Sequence, residues 1–350
     1  MAYTTIDDPS VYFQIALYTG NDSSNAITND GNSDLQPDWL WTKNRSSSAD
    51  HKIFDSTRGV TKFLESNTND AEGTQANLLS SFNSDGFTLG AGGETNSSST
   101  NYVAWQWKAN GGTTSSNTDG TITSTVQANT TAGFSIVTFT GTGNDGDSYG
   151  HGLTSAPELV FPKRRDATSN WQGYAFDGGN SQYFYLNLTN AFASTSGNSA
   201  ASSSSVITTD GSGDSNPNGG TVVSYCFHSV KGYSKIGRYT GNNNADGPFI
   251  YTGFAPAWIL FKRTDGGTQN WFILDNKRDD GLNPRNSYLM PNKTSAEDAN
   301  NSTVDTDFLS NGFKLRATTG AMNGNGETFI YMAFAESPFV SSEGVPTTAR

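Results

Sequence analysis

Apolar and polar positions along this chain change places in short runs, the signature of strands. Tyr102-Val103-Ala104-Trp105-Gln106-Trp107 puts Val103, Trp105 and Trp107 on one strand face and Tyr102, Ala104 and Gln106 on the other. Residues 134–139 alternate less cleanly but are rich in β-forming side chains. Ser84-Asp85-Gly86 and Ser310-Asn311-Gly312 predict hairpin turns, because Asp-Gly and Asn-Gly tolerate positive φ. The best helical stretch, 70–79, is interrupted by Gly73 and predicts two turns at most. The pattern predicts an all-β fold of antiparallel β-sandwich modules, jelly-roll or concanavalin-A-like in type.

The runs also repeat. Tyr18-Thr19-Gly20-Asn21 recurs as Phe139-Thr140-Gly141-Thr142 and as Tyr239-Thr240-Gly241-Asn242. After each comes a loop, a proline and an apolar strand ending in basic residues: Pro37 to Arg45, Pro157 to Arg165, Pro256 to Arg263. Ile53-Phe54-Asp55 with Arg58 matches Ile273-Leu274-Asp275 with Arg278, and the run beginning at Asn67 matches those at Asn187 and Asn292. Constant order and near-constant spacing predict three diverged copies of one module of about 100 residues. The expected division is 1–108 for copy one, 132–230 for copy two and 231–337 for copy three. Residues 109–131 read as a flexible linker with a bridging strand, and 338–350 as an exposed tail. The short join at 231–235 predicts that copies two and three pack together, with copy one held more loosely.

Composition narrows the function classes. Ser (42), Thr (42), Asn (35) and Gly (38) fill 157 of 350 positions, which excludes a coiled coil or helical bundle. Aromatic residues at 12% exclude general disorder. The net charge is −12 with no basic run, so no nucleic-acid partner is expected. One cysteine, Cys226, allows neither an intrachain disulfide nor a cysteine zinc site. No apolar run spans a membrane and the first residues do not read as a signal peptide, so release by another route, such as viral lysis, is expected.

Candidate chemistry is sparse. The eight glutamates include no pair at i, i+2 or i, i+4 on a strand, as a glycan hydrolase of sandwich fold would need. His51, His151 and His228 are solitary, and Cys226 with His228 at i+2 is the one thiol–imidazole pair. Two acidic loops offer Asp145 and Asp147, and Asp210 and Asp214, as oxygen ligands for Ca2+, with ordinary Asx and Gly turns as the competing reading. No other cofactor is expected. The basic ends of the apolar strands (Lys43, Lys163, Lys262) mark either the exit of the strand to solvent or a contact in an assembly. For recognition, sugar binding stacks a ring on an aromatic face. The candidates are Trp107, Tyr183 and Tyr185, and the pair Trp171 and Trp271, each preceded by Asn; core packing is the alternative for every one.

The motifs Tyr-Thr-Gly-Asn, Pro37-Asp38 with Trp41-Thr42-Lys43-Asn44-Arg45, and Phe82-Asn83-Ser84-Asp85-Gly86-Phe87-Thr88-Leu89 resemble a tandem repeat of structural proteins from marine and cyanobacterial tailed phages. The resemblance covers roughly residues 9 to 337. It implies a non-enzymatic virion protein: a tail fibre or appendage component that presents β-sandwich modules for attachment to a host receptor or glycan. Capsid decoration, as a knob or head fibre on the shell, is the alternative within the particle; a glycan-degrading enzyme is the alternative outside that class. The implied partners are other virion proteins, the host surface and the chain itself as a homo-oligomer such as a trimer, with no membrane insertion.

Overall fold

The structure, a computed structural model, describes residues 3–176, 181–195, 200–279 and 281–347. One sheet order appears three times. In copy one, strands Phe13–Thr19, Asn101–Trp107, Trp39–Asn44 and Lys52–Asp55 lie side by side in that order, all antiparallel. Copy three repeats it with Ser234–Thr240, Thr328–Pro338, Phe254–Arg263 and Phe272–Asp275. Copy two repeats it with Phe134–Thr140, Thr221–Phe227, Leu159–Arg164 and Gln172–Ala175, inside a sheet of eight strands. The register is kept as well. Ile15 faces Trp105, which faces Trp41; Ile136 faces Tyr225, then Phe161; Ile236 faces Met332, then Leu260.

A small three-stranded sheet belongs to each copy: Asn25–Ile27 with Phe87–Leu89 and Leu79–Phe82; Asp145–Gly150 with Val206–Asp210 and Ala201–Ser202; Phe249–Tyr251 with Gly312–Leu315 and Thr306–Leu309. It supplies the second layer of a sandwich. In copy one, Tyr18, Leu40, Tyr102 and Ala104 of the large sheet pack with Ile27, Leu79 and Phe87 of the small one. The all-β sandwich-like architecture is as the sequence pattern predicts.

The opposite face of each large sheet is also buried, against the other copies. Phe13, Trp39, Trp41, Trp105 and Trp107 of copy one share one core with Phe134, Phe161, Tyr225 and Phe227 of copy two and with Trp258, Leu260 and Phe334 of copy three. Ring centroids of Trp39 and Tyr225 lie 4.8 Å apart, those of Trp107 and Trp258 5.4 Å, and those of Phe227 and Phe334 6.0 Å. Every copy therefore touches both others, which corrects the expectation of a loosely held copy one. The expected linker is corrected in its flexibility, while the bridging strand expected within it is present. Ser115–Asn117 and Ser124–Asn129 are strands of the copy-two sheet. The low-complexity stretch before them is pinned by the buried Asp38 carboxylate, which accepts the N–H groups of Ala109, Gly111 and Gly112. A charge that takes three backbone donors outweighs the local flexibility of glycine.

The recurring Thr-Gly has a steric cause. A Cβ on Gly20, Gly141 or Gly241 would lie 2.1–2.3 Å from a carbonyl oxygen of the loop that leads into the closing strand. Beside it stands a fully buried asparagine, Asn96, Asn216 or Asn323, whose side-chain oxygen accepts the N–H of the residue after that glycine at 2.9–3.0 Å. A two-way amide is suited to this, since its NH2 satisfies loop carbonyls at the same time.

A chain cut to residues 8–108 would expose the indoles of Trp39, Trp105 and Trp107 to water, removing about 2 kcal/mol or more of burial free energy for each. We expect that fragment to lack a near-ultraviolet circular dichroism signal. The whole chain should unfold in a single calorimetric transition; separate transitions for the copies would contradict a shared core.

Candidate functional site

The junctions between copies carry a recurring set of buried polar contacts, and they are cyclic: copy one binds copy three, two binds one, and three binds two. Trp171 Nε1 donates to the Glu65 carbonyl at 2.8 Å, and Trp271 Nε1 to the Tyr185 carbonyl at 3.0 Å. In copy one His51 occupies this place, with Nε2 3.1 Å from the Met290 carbonyl. A carbonyl only accepts, so Nε2 carries the proton and Nδ1 accepts the Trp41 N–H at 2.9 Å. Burial pushes the His51 pKa well down, in keeping with this neutral ring. Lys43, Lys163 and Lys262, all buried, reach across in the same cycle to the carbonyls of Thr294, Asn69 and Thr189. Of the two readings of these basic residues, exit to solvent is therefore corrected for the lysines, which face the neighbouring copy.

Among the described residues, arginine–glutamate pairs close two junctions. Arg165 pairs with Glu72 at 2.7 Å and Arg45 with Glu297 at 2.7 Å. Behind them the buried Asp55–Arg58 and Asp275–Arg278 pairs each extend to the same glutamate, at 3.1 and 2.9 Å. The carboxylates also accept across the shared core: Asp55 from the Tyr225 hydroxyl at 2.7 Å, Asp275 from Trp105 Nε1 at 3.0 Å. At the third junction Ala175, Phe192, Thr264 and Met332 stand at the places of the aspartate, glutamate, arginine and ring donor. The backbone bond survives there, from Phe192 N to the Thr264 carbonyl at 2.9 Å, as it does from Glu72 to Arg165 and from Glu297 to Arg45.

Trp107, Trp171 and Trp271 are 0–1% exposed and offer no ring face to a ligand. Their expected recognition role is corrected: two are junction donors and Trp107 lies in the shared core. Tyr183 and Tyr185 remain partly exposed, edge to face at 5.8 Å, flanking the buried Phe184. Three of the four expected calcium ligands have carboxylates engaged in local hydrogen bonds. Asp147 accepts from Thr142, Asn144 and Thr121, bonds that hold its pKa down. Asp210 accepts from Gln172 and Tyr174, and Asp214 from Ser169 and Asn170. Asp145 lies opposite Asp210 across two strands, and its carboxylate is exposed. Among the described residues no group of three His, Cys, Asp or Glu side chains converges as a metal site. Cys226 is fully buried, and burial pushes its thiol up to about 12, far from a nucleophile's range.

The surface feature that stands apart is the outer face of the small sheet of copy three. Ile250, Phe313, Leu315 and Phe308 point into the core; Phe249 and Tyr251 point out, 46% and 51% exposed. Across the strands Phe249 faces Lys314, which faces Asp307, and Tyr251 faces Gly312, which faces Leu309. Gly312 is not at positive φ; a Cβ there would strike the Ile250 carbonyl at 2.1 Å and lie 3.1 Å from the Phe249 ring. Tyr3 extends the face. Its hydroxyl donates to the Gly253 carbonyl at 2.9 Å and accepts from Tyr251 at 2.9 Å, and the Lys231 ammonium sits 4.4 Å over its ring.

A family model described as a domain of unknown function (DUF7483) matches residues 8–338. The chain belongs to the DUF7483 family. No curated protein and no solved structure matches it. The matched span takes in all three copies, so the DUF7483 unit is the closed three-copy body and not one repeat. Two sets of residues in this body had a sequence signal that went unread. The clamp asparagines stand five residues before each closing strand, at 96, 216 and 323. Phe249 and Tyr251 flank an isoleucine that matches Ile27, but the short strand lacks the apolar run that would mark it.

Two measurements check the junctions. Trp107 Nε1 has no hydrogen-bond partner, and copies two and three place Phe227 and Phe334 there. Trp171→Phe should therefore cost about 1–3 kcal/mol more than Trp107→Phe in denaturant unfolding, because it leaves the Glu65 carbonyl unpaired. Burial lowers Lys43 and Lys163 to about 8 and Lys262 to about 7, against an ordinary 10.5. From pH 7 upward the unfolded chain then binds more protons than the folded one, so stability rises with pH. Melting temperature should climb between pH 7 and 9.5, and Lys262→Met should flatten that climb; an unchanged slope would remove Lys262 from the account.

Proposed function

We propose that this protein is a non-enzymatic structural component of a tailed-phage particle, a fibre or appendage part that presents the three-copy body for attachment to the host surface. The observation that carries the reading is the contrast between interior and exterior. The large aromatic side chains of the shared core, and the buried lysines and ion pairs at its junctions, hold the copies together. Phe249 and Tyr251 instead stand as large rings on an open sheet face. The motif resemblance to virion repeats and the matched DUF7483 span over the whole body are consistent with a protein used as a rigid block. Glu72 and Glu297, the acids repeated at matching positions, support the same reading, since both are held in arginine pairs inside the junctions. Repetition over many particle copies would turn weak contacts into firm attachment.

Gold-labelled antibody on intact particles should mark the tail appendages. Labelling over the whole shell would replace attachment by capsid decoration. Incubation with host polysaccharide should release no reducing ends; release would overturn the non-enzymatic reading.

A further inference from the structure

We propose that the outer face of the copy-three small sheet is a carbohydrate-binding site, with Phe249 and Tyr251 as the stacking platform for a neutral saccharide. This rests on the attachment reading above and names its ligand. The other two copies serve as controls within the same chain. At the four outward positions held in copy three by Phe249, Tyr251, Leu309 and Lys314, copy one has Ala26, Thr28, Asn83 and Thr88. Copy two has Ser148, Gly150, Ser203 and Thr208. The same sheet is thus built twice without an aromatic ring on this face, although copy two carries Val206 opposite Gly150. Folding does not call for rings there, and two half-exposed rings leave apolar surface in water at a cost in free energy. A ligand accounts for them.

Size, shape and charge select its class. An aromatic side chain buries about 150–250 Å² when fully covered, so two half-exposed rings and the partly covered Tyr3 offer well under the ~800 Å² that each partner contributes to a standard protein interface. That argues for a small ligand over a second copy of this chain. Flat ring faces suit the C–H face of a pyranose, whose polarised hydrogens meet the negative face of the ring. Phe249 and Tyr251, two residues apart on one strand, are spaced by roughly 6.8 Å along it, a span for neighbouring sugar rings. Next to the two rings the strand charges are paired, Lys314 with Asp246 at 2.8 Å and Arg316 with Asp307 at 2.6 Å, and Lys231 is held over the Tyr3 ring, which favours an uncharged saccharide on Phe249 and Tyr251. The Tyr251 hydroxyl and those same side chains are placed to bond sugar hydroxyls.

The test is calorimetric titration of the full chain with neutral hexasaccharides of glucose, galactose, mannose and N-acetylglucosamine. At least one should bind. Phe249→Ala with Tyr251→Ala should weaken that binding tenfold or more, with no larger fall in melting temperature than Phe249→Tyr with Tyr251→Phe, which also removes the Tyr251 bond to Tyr3 but keeps both rings and should retain binding. Binding that survives the alanine pair overturns the site and leaves the attachment reading standing. If none of the four binds the wild-type chain, the site is likewise overturned, and labelling of tail appendages then shows separately whether attachment survives.

Discussion

Each large sheet in this protein has two apolar faces, and its own small sheet can cover only one. That constraint organises the rest. The uncovered faces carry Trp39, Trp105 and Trp107 in copy one, Tyr225 and Phe227 in copy two, and Trp258 and Phe334 in copy three, and they can be kept from water only by one another. A single sandwich of this kind would expose a patch far larger than soluble monomers carry. Closing three of them into a ring of contacts removes the patch and fixes the distance at which polar groups must meet at the edges.

Those edges show how the junction chemistry works as a unit. Where a copy has aspartate, its neighbour supplies a donor: Tyr225 for Asp55, Trp105 for Asp275. Where the aspartate is Ala175, the neighbour has Met332, and the outer arginine–glutamate pair is gone as well, with Phe192 beside Phe184 and Trp271 in its place. Breaking one member of a buried charge set leaves the others uncompensated, whereas exchanging the whole set for packed apolar groups is tolerated. At the third junction the aspartate, glutamate and ring donor are exchanged in this way, while Arg238 donates across it to the Gln182 side chain at 2.6 Å; the backbone bond common to all three junctions shows that the geometry outlasts the change of side chains.

Much of the fold was legible in the residues. Period-2 alternation at Val103, Trp105 and Trp107 correctly separated the two faces, and the recurring Thr-Gly and proline-led strands marked equivalent places in all three copies. What alternation does not encode is what covers a face. A strand buried on both sides by different partners reads the same as one buried by a single partner, so the shared core was missed, and with it the role of Trp171 and Trp271. The low-complexity run at 109–114 misled for a related reason: its order comes from Asp38, some 70 residues away, and no local pattern records a distant carboxylate. The outward rings at Phe249 and Tyr251 were overlooked because a three-residue strand is too short to show a period.

The clasp at Lys43, Lys163 and Lys262 recurs three times, yet all three copies are written in one polypeptide. In a body assembled from identical subunits, any substitution would appear on every face together. Here a gene can rewrite one facet while the other two keep the scaffold intact, so symmetry of construction and asymmetry of surface are inherited independently.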